Sequence, residues 1–244
     1  MNKAKTSIAD RLNAAQVAIQ NTLADAEILT AVAAYGYSVA KINVGKALYD
    51  QAVAAVNAQI AAAGAQRDTT ATMESAKNAA YAAYQSLAKV ARAVFIQDKP
   101  RLIRLGLTGA MPKSTAGFLT AAYALFENAS NPEIQALLAN YGYDSAKLES
   151  ERALIAAYES ANSSQEQTKG TAQQATRDQD AELKELDLWY RQYIKIARVA
   201  FRSKEELLEK LGIRILSRKT AAQRGASAKA AATREANKAD GTTN

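Results

Sequence analysis

Arg191, Lys195, Arg198 and Arg202 recur at intervals of four, three and four residues, so on a helix they line one face. Lys89 and Arg92 hold the matching places 106 residues earlier, where Gln85 and Ile96 occupy the outer positions. A third set, Arg218, Lys219 and Arg224, falls in a C-terminal stretch spaced by Ala, Gly and Thr. Cations in such arrays contact phosphate or carboxylate groups, so all these residues form the candidate contact set for a protein partner or a polyanion. The competing reading is a solvated face, or one paired with Glu149, Glu151, Glu159 and Glu166. Exposed pairs of that kind are worth only about 0.2–1 kcal/mol each. Aromatic residues are missing after residue 213, so base stacking is not on offer there.

The catalytic repertoire is narrow. With no Cys and no His, thiolate chemistry, imidazole bases, disulfides and the usual zinc ligands are excluded. Asp178, Asp180, Glu182 and Glu185 cluster, yet no Glu-x-x-His completes a di-iron bundle site and no glycine brackets them as in a calcium loop. Phosphate-binding glycine loops and a serine nucleophile elbow are also missing. The expectation is a non-enzyme with no catalytic, cofactor or metal residues.

Two long segments of the chain carry one pattern. Tyr35-Gly36-Tyr37 returns as Tyr141-Gly142-Tyr143, Lys41 as Lys147, Gly64 as Gly170 and Tyr84 as Tyr190. The run Lys89-Val90-Ala91-Arg92 returns as Lys195-Ile196-Ala197-Arg198, and Leu105-Gly106 as Leu211-Gly212. The register holds at 106 residues without a gap, which marks an internal duplication of one helical unit. The expected organisation is residues 1–107 as one unit, 108–213 as a second, and 214–244 as a basic low-complexity tail with too few apolar residues to fold alone. Charge has diverged: residues 1–107 carry +5, 108–212 carry −3 and 213–244 carry +5. That asymmetry gives an electrostatic reason for the copies to pair or for head-to-tail self-association.

The composition is that of an all-α protein, with 56 alanines and three prolines in 244 residues. Apolar spacing predicts a helix over about 7–23, with Ile8, Leu12, Ala15 and Ile19 on its buried stripe. Asp25 reads as the cap of a short helix, matched by Asn131-Pro132-Glu133. Gly36 and Gly142 sit where those short helices stop. Each Tyr-Gly-Tyr is either an aromatic platform or a helix-end turn with buried rings. Ser38 and Asp144 read as caps of a long helix that ends near Gly64 or Gly170. A second long helix, about 68–97 or 177–202, then folds back on the first as an antiparallel hairpin. Its seam is Tyr84, Leu87, Ala91 and Phe95 in one copy and Leu186, Tyr190, Tyr193, Ala197 and Phe201 in the other. The fold class expected is all-α: two tandem copies of a hairpin-based unit in an elongated bundle.

Gly170-Thr171-Ala172-Gln173-Gln174-Ala175-Thr176-Arg177-Asp178, Trp189 and Ile196-Ala197-Arg198-Val199-Ala200, together with the Tyr-Gly, Lys and Ala-Leu matches, carry a family likeness. The chain resembles an uncharacterised bacterial family of tandem helical units of about 100 residues each. The likeness covers most of residues 5–213. The first copy departs from it with Ala83 in the place of Trp189 and Asp68-Thr69-Thr70 in the place of Gln174-Ala175-Thr176. It implies repeat architecture and no site residues.

The functional expectation is therefore a structural or interaction protein, a scaffold that binds itself or another protein through long helix faces. The alternative is an accessory protein that touches nucleic acid or another anionic surface through its basic C-terminal tail. No segment reads as a membrane span or signal peptide, which makes the cytoplasm the default compartment.

Overall fold

The computed structural model describes residues 6–213 and 229–230, and the expected contacts Arg218, Lys219 and Arg224 lie outside them. The described residues are all-α, with eight helices and no strand. In order these are α1 (Ile8–Ala24), α2 (Ala26–Ala33), α3 (Val39–Val94), α4 (Lys99–Arg104), α5 (Thr115–Ala129), α6 (Pro132–Ala139), α7 (Ser145–Ala200) and α8 (Glu206–Lys210). The helices α2 and α6, and likewise α3 and α7, begin and end 106 residues apart.

Helix boundaries follow local chemistry. Ser7, Asp25, Asp98, Ser114 and Asn131 each accept a backbone N–H of the helix they open. Asp144 accepts the Lys147 N–H at 2.8 Å at the start of α7. All three prolines precede a helix or occupy its first turn, where a missing N–H costs nothing. Gly36 and Gly142 hold φ near +85° and +84° just past α2 and α6. The N–H of Tyr37 reaches the Val32 carbonyl at 3.1 Å while Gly36 N–H reaches Ala33, the paired bonds of a Schellman stop. Tyr143 and Gly142 repeat that pattern. So do Leu107 with Gly106 after α4, and Ile213 with Gly212 after α8.

The expected turns at Gly64 and Gly170 do not form. Both glycines lie inside uninterrupted 56-residue helices, with no positive φ. For Gly64 the physical reason is local. Ala61-Ala62-Ala63 and Ala65 surround Gly64, so strong helix formers outweigh a single glycine's cost of about 1 kcal/mol. Neither copy therefore folds back on itself as a hairpin.

Packing groups the helices into two compact units, each drawing on both halves of the sequence. Among the described residues, unit 1 takes in 6–51 and 184–213 and holds α1, α2, the start of α3, the end of α7, and α8. Its core joins Ala18, Ile19, Ile28 and Tyr37 to Trp189, Tyr193, Phe201 and Leu211. Unit 2 comprises residues 52–183, with the rest of α3, then α4, α5, α6 and the first part of α7. Its core sets Tyr84, Leu87, Ala91 and Phe95 against Phe118, Leu125, Phe126, Ile155 and Tyr158. Each leucine, isoleucine and phenylalanine among them contributes roughly 1.5–3 kcal/mol by leaving water. The expected seam residues are thus buried or half-buried, and the cores that hold most of them draw on both halves of the chain.

Candidate interaction site

The floor beneath the basic face of unit 1 is an aromatic cluster. Trp189 stacks on Tyr193 with ring centres 5.4 Å apart, and Tyr37 lies 5.2 Å from Tyr193. The indole N–H of Trp189 donates to the Lys41 carbonyl of α3 at 3.3 Å. A Cβ added at Gly45 would overlap that indole ring, so only glycine lets α3 come this close. Burial pushes the Tyr193 phenol up to about 12, although its hydrogen bond with Thr22 pulls the other way. Thr22 in turn donates to the Ala18 carbonyl at 2.6 Å.

On this floor α7 exposes Arg191, Lys195 and Arg198, and Arg202 follows just past the helix end. Among the described residues only Arg191 is engaged by an acid, its guanidinium 3.7 Å from Asp187, which itself takes a two-pronged contact from Arg11 at 2.8 and 3.2 Å. Three of the four glutamates expected to neutralise the stripe have other partners. Glu151 binds Lys147 at 2.8 Å, Glu166 lies 3.7 Å from Lys169, and Glu159 accepts the Tyr123 hydroxyl at 2.6 Å. Lys89 and Arg92 are exposed and belong to unit 2, whereas the four cations of the stripe belong to unit 1. Arg92 has a structural task there, donating to the Leu107 carbonyl at 3.3 and 3.4 Å and closing the turn after α4.

The Tyr-Gly-Tyr segments divide their tyrosines. Tyr37 and Tyr143 are core residues, whereas Tyr35 and Tyr141 are exposed. Burial raises the Tyr143 phenol, which lies against Ser86 and Glu151. Glu151 is buried with one carboxylate oxygen lacking a partner among the described residues, an unusual cost for a helix seam.

Sequence reasoning missed the corner where α4 meets α6. Val94, Phe95, Ile96, Pro100, Leu137 and Tyr141 border an open groove of about 510 Å³ in unit 2. Ile96 is 78% exposed and Tyr141 62%, which places two large apolar side chains at one solvent-facing groove. The available signal was Ile96 itself, an isoleucine where the other copy has Arg202. The acidic end of α2 in unit 1 shows a different solution. There Lys204 pairs with Glu27, and Lys210 with Asp25 at 2.8 Å, binding α8 to α2. Lys210 first, and then the cap bonds to Ile28 and Glu27, hold the Asp25 carboxyl below its ordinary range.

Among the described residues no group of three or more acidic side chains is placed to hold a metal ion. No described helix is long and apolar enough to cross a membrane. No family model, curated protein or solved structure matches the chain.

Proposed function

We propose that this chain is a non-enzymatic helical scaffold, a duplicated unit that associates with itself or with a protein partner through exposed faces of its long helices. One observation carries the reading: α3 and α7 run 56 residues each and keep large apolar side chains on the outside, Val44 and Ile60 on one, Leu154 and Leu188 on the other. Isolated exposed apolar residues are ordinary, but uninterrupted helices presenting them in both copies suit side-by-side or end-on association. The shared offset of 106 residues between the copies' helices supports duplication as the origin of both faces. Light scattering over a concentration series, with negative-stain microscopy of the same samples, tests it. A strictly monomeric particle that also captures no protein partner would remove the proposal.

A second reading rests on the stripe Arg191, Lys195, Arg198 and Arg202, all exposed, of which the last three make no ion pair among the described residues. It assigns contact with a polyanion. Binding of duplex DNA and of anionic vesicles should then weaken steeply with salt and weaken further when Lys195 and Arg198 become Gln. Salt-independent or absent binding excludes it.

A further inference from the structure

The two units present corners of opposite charge. In unit 2, α4 carries Lys99 and Arg104, both exposed and without an ion pair among the described residues, and at the start of this helix Ile96, Leu137 and Tyr141 line an open groove together with Gln97, Arg101 and Asn140. Asp98, the acid of this corner, is already taken by Arg101, whose guanidinium also sits over the Phe95 ring. In unit 1 the equivalent helix is α8, where Glu205, Glu206 and Glu209 are exposed and likewise unpaired among the described residues. Two cations of that corner, Lys204 and Lys210, are spent on Glu27 and Asp25 of the same unit, and the one exposed cation left beside them, Arg202, is outnumbered by the three glutamates. Lys99 in one copy thus corresponds to Glu205 in the other, and Ile103, itself 58% exposed, to Glu209. Apolar surface accompanies both charges: the helices holding α8 expose Val199 on α7 and Tyr35 just past α2.

We infer that the α4 corner of one chain docks on the α8 corner of a second copy of the same chain, through Lys99 and Arg104 against Glu205 and Glu209, with Ile96 and Tyr141 covered at the contact. This rests on the scaffold reading and names the surface for it. The like-with-like alternatives set two cations or two sets of glutamates face to face, which complementarity disfavours. A contact between unlike surfaces leaves one α4 corner and one α8 corner open on every pair, so association need not stop at two chains.

Two reversed full-length chains test this. The first carries Lys99→Glu and Arg104→Glu, which makes both corners acidic. The second carries Glu205→Lys and Glu209→Lys, which makes both basic. Light scattering should find each alone self-associating about tenfold more weakly than the unaltered chain, and an equimolar mixture recovering the lost association. Ile96→Ser, at a solvent-facing site, should weaken association without loss of helical signal. If the reversed chains associate as well as the unaltered one, or their mixture stays single, the corner contact is wrong although self-association stands. If the unaltered chain stays single at every concentration, the inference and the self-association on which it rests both fall.

Discussion

Gly64 and Gly170 give the sharpest test of the fold, because helix and hairpin demand opposite outcomes from one substitution. In the structure both lie in helix interiors, and a Cβ added at either meets nothing within 4 Å. Alanine there introduces no clash and removes backbone freedom from the unfolded chain. Each substitution should therefore stabilise by about 0.5–1 kcal/mol. For a chain of this size that raises the thermal midpoint by roughly 1–4 °C. Had either glycine formed the turn of a hairpin with positive φ, alanine would instead cost roughly 1–2 kcal/mol. Circular dichroism at 222 nm during thermal and urea unfolding reads the sign. Gly142→Ala provides the control, since its φ of +84° predicts a loss of that size. A lowered midpoint for Gly64→Ala or Gly170→Ala would refute the continuous helices.

Gly45→Ala, chemically the same change, should destabilise by about 1–3 kcal/mol because the methyl overlaps the Trp189 ring, and the chain's single tryptophan makes its fluorescence the readout. Asp25 has a depressed folded pKa, so its contribution is present above the ordinary carboxylate range and lost as pH falls through the folded value. Asp25→Asn keeps the cap but not the charge. Its unfolding midpoint should consequently fall less than that of the unaltered chain upon acidification below about pH 4, and a parallel fall would contradict the Lys210 pairing. Tyr193 has a raised folded pKa of about 12, so stability is retained below the ordinary value of 10.0 and lost between 10 and 12 as only the unfolded phenol ionises. Tyr193→Phe should cost about 1 kcal/mol at neutral pH through the lost bond to Thr22 and flatten that alkaline decline, measured by urea midpoints across the range.

Much of the local structure was legible in residue types. Asp25, Asn131 and Asp144 opened helices because their side chains satisfy N–H groups nothing else reaches, and Gly36 and Gly142 closed them because the stop requires positive φ. Gly64 and Gly170 misled because glycine permits a turn without requiring one. The seam was legible as a face and not as a pairing: Tyr193 and Leu87 announce burial, but periodicity carries no record of which helix covers them. That the first copy's Tyr37 meets the second copy's Trp189 became visible only in three dimensions. The basic stripe was readable from spacing, whereas the groove at Ile96 depends on α6 bringing Leu137 beside α4. Charge divergence between the copies was evident in sequence, and structure placed its contrast on α4 and α8.

Light scattering of the unaltered full chain, over a concentration series at low and high salt, tests the scaffold account most directly. The scaffold account predicts an average mass that rises with concentration above the 26.1 kDa of one chain, and the corner contact predicts that this mass falls back as salt screens the α4 cations and the α8 glutamates. A mass fixed at 26.1 kDa across the whole series would contradict self-association.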